Sequence, residues 1–105
     1  MKAVIAGPDR DGLGDALASR GVDVTYAAGT AARPDLEEAG IHGADLLVIT
    51  DTTLATSIPV AKDLEPDVRV VVYARDSLPE FARGQAGHIV DPDLLDAETV
   101  AEELV

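Results

Sequence analysis

Short apolar runs alternate with amphipathic stretches from one end of the chain to the other. Lys2 to Ala6 reads as a buried strand that stops at Gly7 and Pro8. Leu13 to Arg20 reads as a helix with Leu13, Ala16 and Leu17 on one face, closed by Gly21. Asp23 to Ala27 is a second strand. A loop from Ala28 to Arg33 leads to a short helix over Pro34 to Ala39, which Pro34 opens and Gly40 ends. Asp45 to Thr50 contains four consecutive apolar residues, Leu46 to Ile49, the mark of a strand buried on both faces. Pro59 is tolerated only in a first turn, so the next helix is placed at Ile58 to Leu64 with Ser57 as its cap. Val68 to Ala74 is the fourth strand. The spacing Ser77-Leu78-Pro79-Glu80 suits a capping box for a helix carrying Phe81. His88 to Val90 is a short fifth strand, and Asp93 to Leu104 a final helix with Leu94, Ala97, Ala101 and Leu104 on one face.

Strands that alternate with helices and are buried on both faces imply a parallel sheet covered on both sides. Right-handed crossovers leave few arrangements. The pattern predicts one α/β domain over residues 1–105: a doubly wound, Rossmann-like, five-stranded parallel sheet in the order 2-1-3-4-5. In that order the turn after the first strand and the turn after the third open onto one crevice.

Composition narrows the chemistry. The chain has no cysteine, which removes disulfides, a thiol nucleophile and Cys-based zinc. Aromatics are 3% of the residues, so the core must be built from Val, Ile, Leu and Ala. Twenty acidic residues face eight basic ones, a net charge of −12, with lysine only at positions 2 and 62. The carboxylates are scattered through the chain, as expected of a surface adapted to molar salt, where screening acts within about 3 Å. No basic stripe exists to neutralise phosphates, so nucleic acid is not an expected partner. The apolar runs are too short for membrane insertion and no basic-then-apolar leader opens the sequence, so the chain reads as cytoplasmic.

Several strings resemble a known family. Arg33-Pro34-Asp35-Leu36-Glu37-Glu38-Ala39-Gly40-Ile41, then Gly43-Ala44-Asp45-Leu46-Leu47-Val48-Ile49-Thr50-Asp51, look like the middle of TrkA-N domains, the nucleotide-binding domains of Trk uptake regulators (RCK domains in potassium channels). Val68 to Arg75, His88 to Leu95 and Gly7 to Val24 extend the similarity. With the acidic composition, the chain looks like the small proteins of haloarchaea that carry this fold. The resemblance implies an ancestor that bound a dinucleotide and relatives that pair. It also implies a shortening here, because one helix and one edge strand of the family's pattern find no place between Ala28 and Pro34.

The candidate site lies at the crevice. Gly7-Pro8-Asp9-Arg10-Asp11-Gly12 follows a strand and opens a helix, the place of a phosphate-cradling glycine loop. Gly7 and Gly12 keep the outer glycines, whereas Asp9 replaces the one that lets a pyrophosphate approach. The alternative is a tight turn held by Pro8 and capped by Asp11. Thr25 to Thr30 carries no carboxylate to hold ribose hydroxyls, so conventional NAD binding is not expected. Thr50, Asp51 and Thr52 face the loop and either bind a ribose or base, or act as cap and turn.

Asp51 also invites comparison with response-regulator receiver domains, which share the 2-1-3-4-5 order and phosphorylate an Asp at the end of strand three. These domains also need an acidic pair after strand one and a Lys after strand five. The chain has Gly7-Pro8-Asp9 and Asp91-Pro92 in those places, so phosphoryl-receiver chemistry is not expected. His42 and His88 have no second ligand at metal spacing, and Ser57 and Ser77 read as caps.

These observations predict a regulatory or ligand-sensing domain without catalysis, acting as a homodimer or on a protein partner. A nucleotide-binding regulator of potassium transport, with NAD(H) or ATP/ADP as ligand, is the alternative. A small enzyme ranks third.

Overall fold

Three of the five strands are apolar on both faces, and they occupy the middle of the sheet. A computed structural model describes residues 1–105. It places β1 (Lys2–Ala6), β2 (Asp23–Ala27), β3 (Leu46–Ile49), β4 (Arg69–Tyr73) and β5 (His88–Val90) in one parallel sheet, order β2-β1-β3-β4-β5. Every residue of β3 is buried, and so is all of β4 except Arg69. β2 and β5, at the edges, are largely half-buried or exposed.

Alternation along the strands feeds two cores. Val4, Ala6, Leu47, Ile49, Val70 and Val72 face one side, covered by α2 (Arg33–Glu38), α3 (Ser57–Leu64) and α4 (Glu80–Arg83). Ala3, Ile5, Leu46, Val48, Val71 and Tyr73 face the other, under α1 (Leu13–Ser19) and α5 (Ala97–Leu104). No helix is long and apolar enough to cross a membrane.

The differences from expectation fall at helix starts, where capping chemistry decides. α5 begins at Ala97, not Asp93. Asp91 holds the preceding residues in a turn, its carbonyl accepting from the Leu94 and Leu95 amides. Asp96 then caps the helix, its carboxylate accepting from the Thr99 amide at 2.9 Å. Leu94 is thereby 81% exposed and leaves the expected apolar face. Ser57 is the first residue of α3 and does not cap it. It is buried, and its hydroxyl donates to the Ala31 carbonyl at 2.7 Å. The capping box at Ser77 does not form, because Pro79 precedes α4 and no side chain caps that single turn. Tyr73 is 2% exposed, with its hydroxyl donating to the Leu95 carbonyl at 2.7 Å.

Candidate crevice at the carboxyl ends of β1, β3 and β4

The loops after β1, β3 and β4 surround a crevice of about 230 Å³ lined by Pro8, Arg10, Asp11, Thr50, Asp51 and Thr52 among others. Parallel strands bring these loops to one rim, and β1 and β3 pair side by side because β2 lies outside β1. Gly7 lets them approach. Its φ is +108°, and a Cβ there would collide with the Thr50 hydroxyl and come within 3.2 Å of the Asp51 amide nitrogen. The Thr50 amide and hydroxyl both donate to the Ala6 carbonyl, at 3.0 and 3.3 Å.

Of the residues singled out in the sequence, Pro8, Thr50, Asp51 and Thr52 line this crevice. Asp9 and Gly12 do not. Asp9 turns beneath the loop, where its carboxylate accepts from the Gly14 amide at 3.0 Å and from the Tyr26 hydroxyl at 3.2 Å. It does what a phosphate would do at such a helix start, so the anion position is filled from within the chain. Tyr26 sits beside this carboxylate, and its phenol is pushed up, first by burial and then by the Asp9 charge. Gly12, with φ +77°, is the residue before α1 and has no side chain to cap it, so the cap on the Gly14 amide comes from Asp9. The expected capping role of Asp11 is therefore a correction: the amide it would have met belongs to Asp9.

Asp11 is held elsewhere. Arg75, after β4, grips its carboxylate with two nitrogens at 3.0 and 3.2 Å, and its Nε donates to Asp93 at 3.0 Å. These bonds keep the guanidinium protonated even more firmly than usual. The clamp ties the loops after β1, β4 and β5 together. Asp91, after β5, accepts from the Asp93 amide at 2.8 Å and stands behind the clamp.

Asp51 caps a 3₁₀ turn over Thr52–Leu54. One of its oxygens accepts from the Thr53 hydroxyl at 2.7 Å and from the Thr53 amide at 3.0 Å. The hydroxyl bond foremost, then the amide bond, hold its carboxyl below the usual range, and Arg10 adds to this. No three His, Asp or Glu side chains are placed to hold a metal ion. The crevice thus sets three carboxylates, Asp11, Asp51 and Asp76, beside two arginines, Arg10 and Arg75.

Arg75 and Asp93 were not singled out as site residues. A signal for them existed: a basic residue just after β4 must share a rim with acidic residues just after β1 and β5.

A family model matches residues 3–104. The chain belongs to the DUF7126 family. That family is described as one of unknown function. No curated protein sequence matches the DUF7126 chain. Its fold, however, has solved counterparts. HP1043, an orphan response regulator of H. pylori, is 13% identical, with 98% of this chain and 92% of that one covered at a TM-score of 0.71. A pilus assembly-related protein from Burkholderia pseudomallei is 19% identical, with coverages of 99% and 86% and a TM-score of 0.69. A CheY-like protein from Pseudomonas aeruginosa is also 19% identical, with coverages of 99% and 97% and a TM-score of 0.65. At these identities the likeness shows the fold alone.

These findings overturn the TrkA-N/RCK kinship. The apparent loss of a helix and an edge strand is no loss. A sheet ordered 3-2-1-4-5 needs a strand outside β2, whereas here β2 is itself the edge and α2 leads straight to β3. The strings that suggested the kinship encode a helix, a glycine stop and a doubly buried strand, which any domain of this layering requires.

Proposed function

We propose that this DUF7126 domain is a regulatory domain of receiver fold that acts by protein contact and uses neither phosphoryl transfer nor a bound nucleotide. One observation carries the reading. Arg75 clamps Asp11 and Asp93 across the rim, while Asp9 is spent on the Gly14 amide and Tyr26. The acidic residues after β1 are thus already engaged, and the residues after β5 offer Asp93 to Arg75 in place of a lysine. The orphan response regulator and the CheY-like protein among the structural counterparts support the regulatory part of the reading.

The test is direct. The protein is incubated with acetyl phosphate and Mg²⁺ in molar KCl and examined by intact mass and peptide mapping. No phosphoryl adduct on Asp51 is expected. In parallel, NAD(H), NADP(H), ATP and ADP should leave the melting temperature unchanged, whereas a ligand at 100 times its Kd would add about 2.7 kcal/mol. An adduct on Asp51, or a nucleotide shift that Asp51→Ala removes, would overturn the proposal.

A further inference from the structure

β5 has β4 on one side only, so the outer edge of its backbone is unpaired. Its shortness, three residues, is the one usual protection it has: the strand His88–Val90 carries no proline or lysine and no inward charge. A cavity flanks this strand on each face of the sheet. On the α4 face, Ile89 lines a cavity of about 340 Å³ with Leu78 and Leu94. On the α5 face, Val90 lines one of about 310 Å³ with Leu95 and Val100. Ile89, Leu94 and Leu95 are 53%, 81% and 43% exposed, an unusual outlay of large apolar side chains for a chain this small.

The pleat gives this arrangement a meaning. Consecutive residues of a strand point to opposite faces, so a segment added beside β5 would send one side chain into each cavity. The surroundings set its charge. From Asp76 to Val105 the chain has eight carboxylates and one arginine; Asp76 and Asp91 line the first cavity with Arg75 and Arg83, and Glu103 lines the second beside His88. A second copy would bring the same negative charge to the same edge.

We infer that the β5 edge receives an extended segment of a partner protein, with two or three consecutive apolar residues flanked by lysine or arginine. The inference builds on the protein-contact reading above and gives that partner its chemistry. Main-chain bonds to β5 would supply affinity, the two cavities would select the apolar pair, and the carboxylates would select the flanks.

A fluorescein-labelled peptide, Lys-Lys-Val-Ile-Val-Lys-Lys, tests it by fluorescence polarisation against the full chain. Saturable binding is expected. It should weaken about tenfold or more when the central isoleucine of the peptide is replaced by proline, which removes a ladder donor, or when the lysines become glutamates. Ile89→Lys and Leu94→Lys alter exposed side chains, so circular dichroism should be unchanged while peptide binding falls. Absence of saturable binding, or equal binding by both variants, overturns the assignment. A concentration-dependent dimer in sedimentation that Ile89→Lys abolishes also overturns it, by showing that a second copy covers the edge. Labelling of Asp51 by acetyl phosphate would sink the crevice reading and leave the peptide result standing, so the two failures are told apart.

Discussion

The crevice above β1 and β3 and the outer edge of β5 lie on the same sheet, yet they treat their polar groups in opposite ways. In the crevice, the Thr50 hydroxyl, the Asp51 carboxylate and the Arg75 guanidinium all have partners within the chain. At β5 a backbone edge and three large apolar side chains face outward. At the partnered crevice groups a new ligand must displace a bond already made, and only Arg10 and Asp76 among the charges of the crevice lack a partner within the chain. An unpaired edge beside apolar cavities gains main-chain bonds and burial together. The fold keeps a polar crevice where such sheets bind small ligands and carries an open apolar edge at β5.

Four measurements would break or sharpen this contrast. The largest effect is expected from Leu47→Ala, in the central strand β3, which lies between β1 at the crevice and β4, the partner of β5. Leu47 is fully buried, and its truncation should cost about 2–5 kcal/mol in denaturant unfolding, loosening crevice and edge alike. Gly7→Ala should cost about 1–3 kcal/mol, because an L-residue at φ +108° is strained and its Cβ meets Thr50. That loss should open the crevice and leave binding at the β5 edge intact once the protein is folded. A loss of peptide binding in step with crevice opening would mean the two regions are one unit.

The third concerns salt. With a net charge of −12, lowering KCl from about 2 M to about 0.1 M should lower the melting temperature as carboxylates repel unscreened. Arg75→Ala should deepen that fall and matter little in molar salt, since the clamp is solvent-exposed. Equal melting points in both salts would remove the argument for a salt-adapted surface. The smallest effect is expected from pH. Hydrogen bonds from Thr99 hold the Asp96 carboxyl below its ordinary value, and those from Thr53 do the same for Asp51. A depressed carboxyl stabilises the fold above its unfolded value and loses that contribution as pH falls through its folded value. Stability should therefore decline on the acid side below the usual carboxylate range. Asp96→Asn should flatten that decline slightly, and Asp51→Asn should do so at the crevice without affecting α5.

Burial patterns were legible in the sequence to the residue in places. Lys2–Ala6, Asp23–Ala27 and His88–Val90 are bounded where glycine, proline or polar residues interrupt the apolar run, and the strand order follows from doubly buried β3 and β4. Helix starts were less legible, because several neighbouring carboxylates compete to cap. Asp93 and Asp96 both suit the role, and only the turn around Asp91 decides between them. The crevice was half legible. That the two loops meet follows from topology, but which way Asp9 turns depends on Tyr26 crossing from β2, a contact no local spacing encodes. Kinship was misread for a related reason: layering and glycine stops recur across sheets whose strand orders differ.

The Arg75 clamp has a mechanical consequence. Just beyond it the chain leaves the sheet, and it is pinned again where the Gly87 amide donates to the Val70 carbonyl at 2.8 Å. Between these two rivets lie the residues around α4, seated on the sheet mainly by Leu78 and Ala82. Faster amide exchange over residues 76–86 than in the five strands would mark this flap lifting as a separate unit between two fixed hinges. Because Leu78 and Ile89 share a cavity, each lifting would widen the mouth beside β5 without disturbing the switch-point rim.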